Sequence, residues 1–170
     1  MREAGTAHRA VRTPQRSDPT NQIIIVQKIT PFLWFDGQAG QAAKFYTSIF
    51  KDSKIVSVSP MLAIFELAGQ KFFALNGGPQ FKFTEAISFF VSCETQKEID
   101  YFWEKLSAGG EKSRCGWLKD RFGVSWQVVP PILGEFLNDE DSEKSNRVMQ
   151  AMLKMTKLDI KRLKAAAKGK

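Results

Sequence analysis

The chain has 170 residues with 43% hydrophobic and 25% charged positions, the composition of a single globular domain with room for a real core. No run of about 18 apolar residues is present, so no spanning helix is predicted. The net charge of +7 sits in the tails: residues 1–22 carry +2 and residues 142–170 carry +7, which leaves residues 23–141 at −2. A slightly acidic body without a reading motif argues against nucleic-acid binding. Cys93 and Cys115, the only two cysteines, read as reduced thiols of a cytoplasmic protein rather than a disulfide framework.

Residues 1–22 show no periodicity and few apolar positions. They read as a disordered extension or, since Arg, Ser and Thr outnumber acids, as an organelle transit peptide. From Ile23 the character changes. Ile23 to Phe35 is strand-like and Asp36-Gly37 turns the chain. Ala42, Phe45, Tyr46 and Ile49 then recur at helical spacing. Three short strands follow at Lys54–Ser59, Met61–Ala68 and Lys71–Asn76, the last two joined by Gly69-Gln70. Gly77-Gly78-Pro79 closes this unit.

A second unit repeats the pattern. Ala86–Cys93 is a predicted strand, and Thr95 with Glu98 forms a capping box for the next helix. That helix has Ile99, Phe102, Trp103 and Leu106 as its apolar face and ends at Gly109. An offset of 57 carries Ala42, Phe45, Tyr46 and Ile49 onto those four positions. The same offset carries Phe32-Leu33-Trp34 onto Phe89-Phe90-Val91, and an offset of 54 carries Phe72-Phe73 onto Trp126-Gln127. Cys115 to Pro131 reads as a hairpin: Trp117 and Leu118, a reversal at Lys119–Gly123, then Ser125–Val129 stopped by Pro130-Pro131.

Two tandem βαβββ units are therefore predicted, at residues 23–79 and 80–131 of an α+β domain. Residues 132–170 form a helical extension. One of its helices follows Asp139-Glu140-Asp141-Ser142 and carries a stripe of Val148, Met149, Met152 and Met155, read as packing. A last amphipathic helix with Ile160, Leu163 and Ala167 is predicted to be capped by a Thr156/Asp159 box, its lysines forming a solvated face.

This arrangement resembles the vicinal oxygen chelate fold of glyoxalase I, extradiol dioxygenases and bleomycin- and fosfomycin-resistance proteins. It is most similar to the PhnB-like branch, labelled 3-demethylubiquinone-9 3-methyltransferase-like. The stretches that carry the resemblance are ITPFLWFDG (Ile29–Gly37), AAKFYTSIF (Ala42–Phe50), LNGGPQFKFTEAISFFVSCE (Leu75–Glu94), CGWLKDRFGVSWQVVP (Cys115–Pro130) and RVMQAMLKMTKLDI (Arg147–Ile160). The resemblance implies a U-shaped, mostly antiparallel sheet with helices outside and a pocket inside, in a homodimer. It also implies where a divalent metal would be held: near Ile29, at Ala86, near Phe73 and at Gln127. None of these except Gln127 offers a lone pair, and the one histidine, His8, lies in the N-terminal extension, so no metal site is expected. No methyl-donor loop is legible either, because Gly77-Gly78-Pro79 follows a strand that leads to another strand. No cofactor is called for.

The functional expectation is a metal-free protein that binds a small hydrophobic or aromatic molecule. Strand alternation from Gln127 brings Ser125, Leu33, Phe35, Ser88 and Phe90 onto the pocket face. Cys115, Trp117 and Lys119 of the hairpin complete the candidate wall. The same aromatics could instead fill the cavity as core, leaving a structural dimer. An enzyme in the same pocket is the alternative, either a methyltransferase or one using Cys115, Lys119 and Asp120. Cys115 without a neighbouring base reads first as a small packed residue. Lys119-Asp120-Arg121 reads first as a solvated turn, with Asp120 shaping it, and second as an anion holder.

Overall fold

The computed structural model describes residues 28–170. The expectations for residues 1–22, for His8 and for the start of the first strand lie outside these residues.

Each half folds as predicted, strand first and helix second. The first unit runs β1 (Phe32–Phe35), α1 (Ala39–Ile49), β2 (Lys54–Val58), β3 (Leu62–Leu67) and β4 (Gln70–Asn76). The second runs β5 (Phe89–Ser92), α2 (Gln96–Leu106), β6 (Glu111–Lys112), β7 (Trp117–Lys119) and β8 (Ser125–Val129). The two four-stranded sheets share one topology, β1-β4-β3-β2 and β5-β8-β7-β6. In each, first and last strands pair in parallel and the others antiparallel. β6 is the strand the sequence reading missed. It is two exposed charged residues long, too short to carry an alternation.

Alternation gives each sheet a helix face and an open face. In β3, Ala63, Phe65 and Leu67 are buried while Leu62, Ile64 and Glu66 point the other way. In the second sheet Val91, Leu118, Trp126 and Val128 are buried with Ile99 and Trp103 of α2. The helix faces of both units join in one aromatic core. Phe65 stacks on Phe72 at 5.2 Å, Phe72 meets Phe89 edge-on at 5.2 Å, and Tyr46 lies 5.4 Å from Trp126. Tyr101 adds a hydrogen bond from its hydroxyl to the Ile49 carbonyl at 2.9 Å.

The helix ends are satisfied by two different devices. Thr95 and Glu98 form the reciprocal capping box expected for α2. α1 has no side-chain cap of its own; Asn76 Oδ1, from the end of β4, accepts the Ala39 N–H at 2.8 Å.

The C-terminal helices are α3 (Pro131–Leu137), α4 (Ser142–Leu153) and α5 (Ile160–Ala167). α3 departs from the sequence expectation, in which Pro130-Pro131 marks only the end of a strand. Pro131 is the first residue of the helix, where a missing N–H costs nothing. The predicted Thr156/Asp159 box is replaced by a simple cap: Asp159 is the N-cap and accepts from Arg162 N. The helices pack through Val148, Met155, Leu158 and Leu163 into a second small core with Val129 and Leu133. Gln96 ties them to α2, donating to the Leu158 carbonyl at 3.1 Å and accepting the Ile160 N–H at 2.9 Å.

Candidate functional site

The open face of the second sheet carries the candidate site. Cross-strand pairing sets Gln127 beside both Phe90 and Trp117, and Ser125 beside Lys119. Gln127 Nε2 donates to Ser88 Oγ at 2.8 Å, which fixes the amide against the strand. Phe90 stands 59% exposed on this face. Ser88, Phe90, Trp117, Lys119, Ser125 and Gln127 thus share one surface, as alternation from Gln127 requires.

Two cavities open on this face, and Trp117 lines both. One, of about 360 Å³, lies between Phe90, Gln127 and Cys115 and is walled by Leu133 and Leu137 of α3 and Met152 of α4. The C-terminal helices therefore close one end of the groove. The other, of about 350 Å³, is lined by Ser125, Lys119, Glu85, Glu111 and Lys112. The groove runs from an apolar end to a charged end across the Trp117 ring.

Cys115 sits at the apolar end in a left-handed conformation, φ 56°. Its N–H and that of Gly116 donate to the carbonyls of Met155 and Thr156, both at 2.8 Å, and its Sγ lies 3.6 Å from the Met152 carbonyl. At the charged end Lys119 Nζ pairs with Glu85 Oε1 at 2.5 Å. Lys119 holds the Glu85 carboxyl below its ordinary range, and Glu85 in turn raises the Lys119 ammonium. Ser125 is 1% exposed, and its hydroxyl has no hydrogen-bond partner among the described residues.

Leu33 and Phe35 do not belong to this face. Both are buried in the helix-side core with Ala63, Phe65 and Ala74. The open face of the first sheet instead presents Phe32, 58% exposed, with its pair Phe73 at 6.0 Å. The offset of 57 holds for the helices but not for the pleat of the first strands. Leu33 is inside and Phe90 outside, a slip of one residue that exchanges the two faces. Phe35 still touches a separate hollow beside Trp34, Phe83 and Phe122 at the junction of the units.

The Lys119-Asp120-Arg121 triplet diverges rather than converging on an anion. Lys119 faces the groove, and Arg121 donates to the Ala108 carbonyl at 3.1 Å and covers the Phe45 ring. Asp120 is 3% exposed in the core. Its Oδ1 accepts the N–H groups of Phe122 and Val124 at 2.8 and 3.1 Å, the turn-shaping role expected. Its Oδ2 accepts Tyr46 Oη and Trp126 Nε1, both at 2.8 Å. From the sequence Tyr46 is only one position of an amphipathic helix face. A buried tyrosine facing a turn aspartate was the available signal, since such a hydroxyl needs a partner.

The positions that would hold a divalent metal do not fit one. Ile29 and Ala86 precede their strands, Phe73 offers only a ring, and Gln127 is engaged with Ser88. Among the described residues no group of three or more His, Cys, Asp or Glu side chains is placed to hold a metal ion. The glycines of Gly77-Gly78-Pro79 serve Trp34. Its Nε1 donates to the Gly78 carbonyl at 2.8 Å, and a Cβ on Gly77 would fall 2.2 Å from its ring.

The family model for 3-demethylubiquinone-9 3-methyltransferase matches residues 27–129, more than half of the chain. The chain belongs to this family. Among solved structures it is similar to a PhnB protein from Bacillus cereus, with 40% identity, covering 61% of this chain and 99% of that one at a TM-score of 0.58. A protein from Pseudomonas aeruginosa shares the fold at 20% identity, covering 62% of this chain and 98% of that one, with a TM-score of 0.52. A fosfomycin resistance protein from Listeria monocytogenes is 18% identical over 66% of this chain and 98% of its own, with a TM-score of 0.48. No curated protein matches. The family match ends at Val129, so α3 and α4, which wall one end of the groove, and α5 lie outside the segment the family model covers.

Proposed function

We propose that this PhnB-like chain is a metal-free binder of a small planar or hydrophobic molecule, held in the groove on the open face of the second sheet. The observation that supports it best is the pair of cavities lined by Trp117, each within the size range of small-molecule sites. The apolar end offers the rings of Phe90 and Trp117 with Leu133, Leu137 and Met152, and Gln127, Ser88 and Lys119 supply polar groups along the face. An aromatic ring is sequence-cheap here: Trp117 and Phe90 offer flat faces and Gln127 an amide to orient it.

The proposal includes a homodimer in a reducing compartment such as the cytoplasm. Phe32 and Phe90, on the open faces of the two sheets, leave large apolar side chains uncovered, as do Ile29 and Ile87 just before β1 and β5. Both cysteines are free thiols. No helix among the described residues is long and apolar enough to cross a membrane.

Calorimetric titration with 2-naphthamide, a neutral planar probe, tests the binding reading. Saturable binding that is lost in Trp117→Ala supports it, and absence of binding to the native protein refutes it. Methyl transfer, which the family description favours, is the second reading. Saturable binding of S-adenosylmethionine would move the assignment to it. The remaining enzymatic reading loses Asp120, whose carboxylate is committed to four hydrogen bonds in the core.

A further inference from the structure

The charged end of the groove contains a contradiction that a ligand would resolve. Ser125 is buried, is among the residues around the cavity, and has a hydroxyl with no partner among the described residues. A buried hydroxyl left unsatisfied is destabilising, so a structure that keeps one needs a reason. Directly across the strand pair lies Lys119, whose ammonium is drawn aside by Glu85. Glu85 comes from the connection between β4 and β5 and is itself largely exposed. Ion pairs of this kind contribute little, and rotation of the Glu85 side chain is enough to release Lys119.

We propose that this end is a carboxylate subsite: the carboxylate of a planar aromatic acid replaces Glu85 on Lys119 and accepts the Ser125 hydroxyl, with its ring against Trp117. The inference rests on the groove being a small-molecule site. Charge favours a monoanion. Lys112 is already held by Glu104 at 3.1 Å, so when Glu85 turns away Lys119 is the lining cation left for an anion among the described residues. A dianionic phosphate would meet Glu111 with only one released cation and one hydroxyl to hold it. Lys119 and Ser125 can each reach one oxygen of a carboxylate because they are direct cross-strand neighbours.

The test compares 2-naphthoate with its neutral isostere 2-naphthamide by calorimetry on the full chain. Naphthoate is expected to bind about tenfold tighter, the worth of one charge-assisted hydrogen bond. That preference falls towards unity in Lys119→Met and in Ser125→Ala, and Glu85→Gln tightens naphthoate by roughly threefold by removing the competing carboxylate. Equal affinity for the two probes, or a preference that survives both Lys119→Met and Ser125→Ala, overturns the subsite and leaves the groove standing. Binding of neither probe overturns the groove and the subsite together. Thermal unfolding of each variant separates a lost site from a lost fold.

Discussion

The Tyr46 hydroxyl donates to Asp120 Oδ2 at 2.8 Å, across 74 positions of the chain. It joins the helix of the first unit to the hairpin of the second, inside the common core. Trp126 Nε1 donates to the same oxygen at 2.8 Å. A shared buried acceptor makes the two units interdependent. Asp120→Asn keeps one oxygen for the turn but loses the acceptor for Tyr46 and Trp126, and is expected to cost about 2–4 kcal/mol. Tyr46→Phe and Asp120→Asn should be non-additive by about 1 kcal/mol in a double-mutant cycle of urea unfolding. Strict additivity would show that the pair does not couple.

The same carboxylate sets a pH dependence. Burial pushes the Asp120 carboxyl up, against the hydrogen bonds from Trp126, Tyr46, Phe122 and Val124 that pull it down. Its folded value lies above its unfolded one, so the folded state holds the proton more tightly. The resulting stabilisation is complete below the unfolded carboxylate value and is lost as pH rises through the raised folded value. The stability difference between the native protein and Asp120→Asn should therefore shrink from about pH 4 upward. Chemical unfolding at a series of pH values reads this, and a difference that grows with pH contradicts it.

The two thiols should behave differently. Cys93 is fully buried, and burial, with a smaller contribution from Glu98, pushes its thiol up to about 12. Cys115 is only partly buried and lines the apolar end of the groove. Titration with a thiol-specific disulfide reagent near neutral pH should label one cysteine in the native state and both in denaturant. Mass mapping should place the native label on Cys115, and 2-naphthamide should slow its reaction.

Ser125→Ala offers a stability readout independent of ligand. Removing a buried hydroxyl that has no partner among the described residues should leave the protein unchanged or more stable by about 1 kcal/mol. Destabilisation of that size would mean that the hydroxyl is satisfied in the free protein.

Much of this fold was legible because two periodicities dominate the sequence. Ala42, Tyr46 and Ile49, with Ile99, Trp103 and Leu106, mark both helix faces, and all six are buried. The open face of the second sheet followed from simple alternation around Gln127. The first sheet did not, because a repeat matched on helices carries no information about the phase of a pleat. Leu33 and Phe90 align in the repeat yet lie on opposite faces. The Asp120 cluster was half visible: the turn was written in Asp120 and Gly123, whereas Tyr46 and Trp126 reach it only through the packing of the two units. α3 was hidden by proline, which ends a strand and begins a helix equally well.

Native mass spectrometry of the purified protein, with metal analysis of the same sample, tests whether the groove holds a small molecule without a divalent metal. The predicted result is a dimer that carries a small molecule and no stoichiometric divalent ion. A stoichiometric divalent ion would contradict the reading of Ile29, Ala86, Phe73 and Gln127 and return the site to metal-dependent chemistry.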